Sequence, residues 1–151
     1  MKDDNKVQEK QLIINDHICD IVGNVRDSET KQEYILFRLE YDSLKSGLWF
    51  STEDNIKKVL SQQDIDFLKS TITPDFELGK YRHFKGKDDE VLDVARDLST
   101  SKEHVLYKNL YNDPKFGHNP LWVRPKEMFF EHVDKPEYND YHGPRFLKIK
   151  E

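Results

Sequence analysis

Short half-apolar runs separated by polar turns fill this chain, and they recur at a fixed offset. Residues 18–25 and 90–96 are rich in Val and Ile and read as strands. Polar connectors at 27–32 and 97–102 are of hairpin type, and residues 33–41 and 103–111 read as the returning strands. There Leu36 and Leu106 alternate with Phe37 and Tyr107, as a pleated strand with two unlike faces requires. Leu48-Trp49-Phe50 and Leu121-Trp122-Val123 make a third strand in each half. Sliding the chain by 70 lays residues 20–42 on 90–112 without a gap. Six of those 23 pairs are identical, Arg26/Arg96, Asp27/Asp97 and Tyr41/Tyr111 among them, where about one or two would match by chance. A three-residue insertion then brings Trp49 onto Trp122. The chain reads as a tandem duplication, and strands spaced by a dozen or so residues predict a small barrel or a strongly bent sheet in each copy.

The halves diverge at their ends. Ser51 and Ser61 are each followed three residues on by an acid, Asp54 and Asp64, which resembles a capping box. With apolar Ile56, Val59 and Leu60, then Ile65, Phe67 and Leu68, this predicts two short helices packing back on the sheet. Pro74 ends the unit, giving an N-terminal module at 1–75 and a C-terminal module at 76–151. In the second module Pro125 opens a short helical turn through Met128-Phe129-Phe130. A polar loop with Pro136 and Gly143-Pro144 then leads to a last strand at 145–149.

Eighteen aromatics in 151 residues supply core area despite a charged fraction of 35% and a mean hydropathy of −0.87. No apolar run reaches the roughly 18 residues of a membrane span. Residues 1–6 lead into no apolar stretch, so no secretory signal is expected. The expected location is the cytoplasm, of a bacterium or of a host if the chain is phage-encoded. A single cysteine, Cys19, excludes an intramolecular disulfide and a Cys-rich zinc site, and its apolar run predicts a buried inert thiol. Residues 1–75 carry 10 basic and 15 acidic side chains, whereas 76–151 carry 14 of each. Phosphate repels so acidic a first half, which disfavours general nucleic-acid binding.

Residues 79–149 carry a denser signature. Gly79-Lys80-Tyr81-Arg82-His83-Phe84-Lys85-Gly86 is followed by Glu90-Val91-Leu92-Asp93-Val94-Ala95-Arg96. Then come Val105-Leu106-Tyr107, Leu110-Tyr111 and Leu121-Trp122-Val123-Arg124-Pro125-Lys126-Glu127-Met128-Phe129. This stretch resembles a small bacterial and phage domain family, domain of unknown function 1653. The resemblance implies a compact β-rich, SH3-like module and no established activity. The fold expected is therefore mainly β (α+β), two tandem small SH3-like β-barrel modules, the first followed by two short helices. Two segments depart from the family pattern, the longer turn at 112–120 and the long loop at 134–143 rich in Asp, Tyr and His. The first half keeps the middle of the motif but lacks the Gly-Lys-Tyr-Arg-His start and the Arg-Pro after its Trp. A ligand site built on those residues would be lost there.

The candidate ligand-binding residues are Tyr81, His83, Lys85, Arg96, Tyr107, Trp122 and Arg124, with Arg82 and Tyr111 nearby in the pattern. Aromatic planes beside guanidinium and imidazole groups suit a planar anionic ligand, through stacking and charge-assisted hydrogen bonds. The competing account makes Trp122, Tyr107 and Tyr111 core residues with locally satisfied polar tips and pairs Arg96 with Asp97 or Glu103. His83 and Arg124 have no counterpart in the first half, and residues needed only for folding should persist in both copies. His83, His104, His118, His132 and His142 lie on different elements without metal-ligand spacing, and Lys87-Asp88-Asp89-Glu90 reads as a turn, so no metal or cofactor is expected. No nucleophile elbow or phosphate-cradling Gly-rich loop occurs, and no catalytic residue is assigned. The expected function is non-catalytic binding of a small anionic or nucleotide-like ligand, one version being a phage-type protein that sequesters a host nucleotide signal. The alternatives are a protein–protein interaction adaptor or inhibitor, and a small hydrolase using His83 as acid/base. Partners are then that ligand or a protein, with no membrane; a homo-oligomer is left open.

Overall fold

A computed structural model describes residues 10–150; residues 1–6, where no secretory signal was expected, lie outside the described residues. The first half forms β1 (Lys10–Ile14), β2 (His17–Asp27), β3 (Glu33–Tyr41), β4 (Leu44–Lys45), β5 (Leu48–Ser51), α1 (Glu53–Leu60) and a 3₁₀ turn at Asp66–Lys69. The second half forms β6 (Gly79–His83), β7 (Asp88–Asp97), β8 (Glu103–Asn109), β9 (Asn112–Asp113), β10 (Gly117–His118) and β11 (Leu121–Pro125). It ends with α2 (Lys126–Phe129), β12 (His132–Lys135), β13 (Tyr141–Pro144) and β14 (Phe146–Lys148). The fold is mainly β, and no helix among the described residues is long and apolar enough to cross a membrane.

Ten strands from both halves join one mixed sheet, in the order β1-β2-β11-β8-β7-β5-β3-β4, with β6 on β7, β14 on β6 and a further pairing of β2 with β3. Two seams are parallel, and both join the halves. β5 runs along β7 with Trp49 opposite Arg96, and β11 runs along β2 with Trp122 opposite Arg26. Beyond each seam a turn amide docks on the neighbouring strand: Leu98 N–H donates to Phe50 O at 3.1 Å, and Ser28 N–H to Val123 O at 3.0 Å. The β2–β3 ladder skips a residue between Ile21 and Gly23, and the β7–β8 ladder between Val91 and Asp93. The two bulges thus stand 70 residues apart, matching the offset of the sequence pattern.

Both faces of the central hairpins are buried. Leu36 and Leu106 meet Val25, Phe50, Ala95 and Val123 in a middle cluster built from both halves. Phe37 points instead into a cluster with Trp49, Ile56, Leu60, Ile65 and Leu68, and Tyr107 into one with Val91, Trp122, Phe129 and Phe146. Cys19 lies in the first of these, where burial, reinforced by Asp20, pushes its thiol up to about 12 and leaves it unreactive at neutral pH.

Some elements differ from expectation. The cap of α1 is Thr52, whose Oγ1 accepts from Asn55 N–H at 3.2 Å. Ser51 instead ends β5 and accepts from Asn55 Nδ2 at 2.8 Å. The second expected helix is a single 3₁₀ turn after Ile65, without a side-chain cap. The loop expected at 134–143 is part of the hairpin β12–β13, in which Asp134 meets both His132 and His142. Residues 112–118 form the small ladder β9–β10. Loss of an N-cap hydroxyl typically costs about 1 kcal/mol, so Thr52→Ala should lower the unfolding free energy from urea titration by that amount. Ser51→Ala, which leaves the cap bond in place, should shift it less.

Candidate functional site

The register of β7, β8 and β11 brings one set of polar side chains to one face. Asp89 stands opposite Asn109, and Trp122 opposite Tyr107. Alternation then puts Tyr107 with Asn109, and Trp122 with Arg124, on that same side. β6 ends at His83, opposite Phe146 of β14. The following turn passes through Gly86, whose φ of +101° only glycine adopts without strain, and carries Lys85 and Lys87 beside the face. The β2–β3 turn of the first half adds Ser28 and Lys31. Together these groups, with Tyr111, Asp113 and Phe116, enclose a cleft of about 340 Å³.

A hydrogen-bond chain crosses its floor. Trp122 Nε1 donates to Asn109 Oδ1 at 2.7 Å, and Asn109 Nδ2 donates to Asp89 Oδ1 at 2.6 Å. Arg124 spans the wall: Nη1 lies 3.3 Å from Glu29 Oε2, Nε reaches the Tyr107 hydroxyl at 3.5 Å, and the guanidinium sits 5.7 Å from the Phe146 ring centre. At the mouth, Lys31 Nζ lies 5.2 Å from the Trp122 ring and Lys87 Nζ 4.4 Å from the Tyr111 ring.

The electrostatics are those of a half-dry basic cavity. Four cations, Lys31, Lys85, Lys87 and Arg124, line it against two carboxylates, Asp89 and Asp113. Burial, then Arg124, Lys85, Arg145 and Lys135, hold His83 down at about 4, so its imidazole is neutral at physiological pH. Nδ1 accepts the Lys85 N–H at 3.1 Å, which leaves the proton on Nε2. Burial raises Asp89 to about 6; the Asn109 bond opposes the shift, Asp88 adds to it and Arg124 opposes it. Burial also raises Tyr107, and it carries Tyr111 to about 12 with help from Asp89, Tyr107 and Asp113.

Of the seven residues picked from the sequence, His83, Lys85, Tyr107, Trp122 and Arg124 line this cleft. Tyr81 does not: its buried ring meets Phe129 edge-on at 5.5 Å and its hydroxyl donates to Glu77 O at 2.8 Å. Arg96 lies elsewhere too. It stacks 3.9 Å from the Trp49 ring centre and donates to the Oγ and carbonyl of Ser70 at 2.7 and 2.9 Å, pairing with neither Asp97 nor Glu103. Arg82 points away, bound to Asp88 at 2.8 Å. Missed were Asp89, Asn109, Ser28, Lys31 and Lys87. Asp88 and Asp89, assigned to a turn on sequence, begin β7. The 70-residue offset held the signal, because it sets Asp89 and Asn109 against Cys19 and Leu39, polar for apolar on inward positions. Among the described residues no group of three or more His, Cys, Asp or Glu is arranged to hold a metal.

Residues 79–148 match the family described as Protein of unknown function (DUF1653). A crystal structure of a DUF1653 protein from Bordetella bronchiseptica is 31% identical, with the match covering 52% of this chain and 92% of that one at a TM-score of 0.44. This chain belongs to the DUF1653 family. No curated protein matches it. The DUF1653 stretch contributes Asp89, Tyr107, Asn109, Trp122 and Arg124 to the cleft, while Ser28, Lys31 and the Glu29 that holds Arg124 come from outside it.

Proposed function

We propose that this protein binds, without transforming, a small anionic, nucleotide-like ligand in the cleft between β6, β7, β8 and β11. The observation that carries the reading is the lining itself. Four cations and the rings of Tyr107, Tyr111, Phe116 and Trp122 border a cleft large enough for a nucleotide, with two carboxylates against them. The hydrolase alternative casts His83 as acid/base, but His83 is held neutral down to about 4 and is a poor proton donor near neutrality. The imidazole instead suits neutral hydrogen bonding to a bound ligand.

In this reading the chain is two copies of one SH3-like barrel module, 1–75 and 76–151, joined through the two parallel seams. What supports it is that the bulges correspond at an offset of 70, and the seams and turn amides at 70 together with the three-residue insertion before β11. The place corresponding to the cleft is filled in the first half. Cys19, Phe37, Leu39 and Trp49 stand at the positions of Asp89, Tyr107, Asn109 and Trp122, and α1 and the 3₁₀ turn pack on them. One copy keeps the binding site and the other has closed it with its own chain.

Native mass spectrometry of protein from a bacterial expression host, with thermal melts in a panel of nucleotides and inorganic phosphate, tests the binding. A ligand at one hundred times its Kd adds about 2.7 kcal/mol, worth several degrees in a chain of this size. The expected result is such a shift, or an adduct released on unfolding, that is absent from His83→Ala/Arg124→Ala protein with unchanged circular dichroism. A bare mass and an unmoved melting temperature across the panel would overturn the reading and turn attention to a protein partner.

A further inference from the structure

We propose that Asp89 reads the base of the bound ligand and selects a purine edge with two adjacent N–H donors, the guanine pattern. This rests on the nucleotide-binding reading above. Asp89 is 3% exposed, yet it borders the cleft rather than the solid core. Its side chain makes one hydrogen bond among the described residues, from Asn109 to Oδ1, and Trp122 fixes Asn109 in turn. The amide orientation is thereby set, and the remaining carboxylate lone pairs are left for a partner.

The fold does not require an acid at this position. Cys19 fills the corresponding place beside β3 and Leu39 stands opposite it, both buried in an apolar cluster. A buried carboxylate without an ion-pair partner is costly, so its presence below a cationic mouth calls for a ligand that is negative at one end and donates hydrogen bonds at the other. A guanine nucleotide has that polarity: phosphate for Lys31, Lys85, Lys87 or Arg124, and N1–H with the 2-amino group for the carboxylate. Adenine presents one donor beside an acceptor, and the acceptor meets a carboxylate unfavourably. Protonation reverses that disadvantage, because a neutral carboxyl donates to the adenine acceptor and accepts from its amino group. Burial raises Asp89 to about 6, so this reversal falls within an accessible pH range.

Calorimetric titration with GMP and AMP isolates the base edge, since the two ligands share charge, sugar and stacking area. At pH 7.5 GMP is expected to bind at least tenfold more tightly than AMP. The ratio should fall severalfold at pH 5 and collapse to within threefold in Asp89→Asn. Asp89→Cys/Asn109→Leu, which copies the Cys19 and Leu39 pair, should abolish the ratio as well and guards against a local defect of the first variant. Equal GMP and AMP affinities in the wild type, or a ratio retained in both variants, would overturn the role of Asp89 while leaving nucleotide binding intact. Failure of both nucleotides to bind would overturn both.

Discussion

Trp49→Ala is expected to remove about 3–5 kcal/mol of stability, the range for truncating a buried large aromatic, and to release the 3₁₀ turn from the sheet. Trp49 is 1% exposed and stands where three parts of the chain meet. Its strand pairs with β7 across a parallel seam, and its ring lies under the Arg96 guanidinium at 3.9 Å and meets Phe67 edge-on at 5.8 Å. Nε1 donates to Leu68 O at 3.1 Å. Truncation leaves a cavity, strands that carbonyl, and takes away the surface on which Arg96 rests while it holds Ser70. Domains are stable by only about 5–15 kcal/mol, so this one change removes about a fifth of the total or more. Equilibrium urea denaturation measures it, and Trp49→Phe, which keeps most of the packing but loses the hydrogen bond, should fall in between. A loss below about 1 kcal/mol for the alanine variant would mean that Trp49 does not anchor the turn.

The strands of the two hairpins were legible because their side chains are apolar on both faces. Residues 33–41, read from alternation, are β3 to the residue. The β1–β2 hairpin was missed for the opposite reason. β1 borders β2 as β6 borders β7, but Leu12 and Ile14 occupy the places of Tyr81 and His83, so the motif of the second half has no textual echo in the first. The helical cap was placed correctly and bounded wrongly. Ser51 belongs to the strand, and Thr52, with its hydroxyl aimed at Asn55 N–H, does the capping. Pro125 ends β11 and stands just before α2, at its N-cap.

The site was half legible. Cationic and aromatic residues announce themselves by type, and five of the seven lie together. Tyr81 and Arg96 show where type misleads, since an edge-on aromatic stack and a capped carbonyl absorb them into the framework. Asp89 failed to stand out because Asp is scarce in strands and sits here in the run Lys87-Asp88-Asp89-Glu90, which has a turn's composition. The turn residues Ser28 and Lys31 reach the cleft only through the β2–β11 seam, a contact between positions some 95 residues apart that no local pattern encodes.

Asp89→Asn is expected to make the protein more stable at pH 7, by on the order of 2–3 kcal/mol, and to change the shape of its pH dependence. From about pH 3.8 to 6 the folded state keeps a proton on Asp89 that the unfolded state releases, so rising pH costs stability across that window. His83 acts in the opposite sense. From 6.5 down to about 4 the unfolded state takes up a proton that the folded state refuses, so falling pH costs stability. In the wild type the two slopes oppose each other between about pH 4 and 6. Asp89→Asn should therefore unmask a midpoint that climbs from pH 4 to 6.5, and His83→Gln one that declines from pH 4 to 6, in urea titrations at half-unit pH steps. An Asp89→Asn protein less stable than the wild type at pH 7 would mean that the carboxylate is held favourably in the folded state without a ligand. The expected gain has a functional sense: a chain under selection for folding alone could place Cys and Leu at these positions, as it does at Cys19 and Leu39. Keeping a buried acid beside Asn109 and Trp122 sacrifices stability at neutral pH, a loss that the proposed ligand's donor edge would offset.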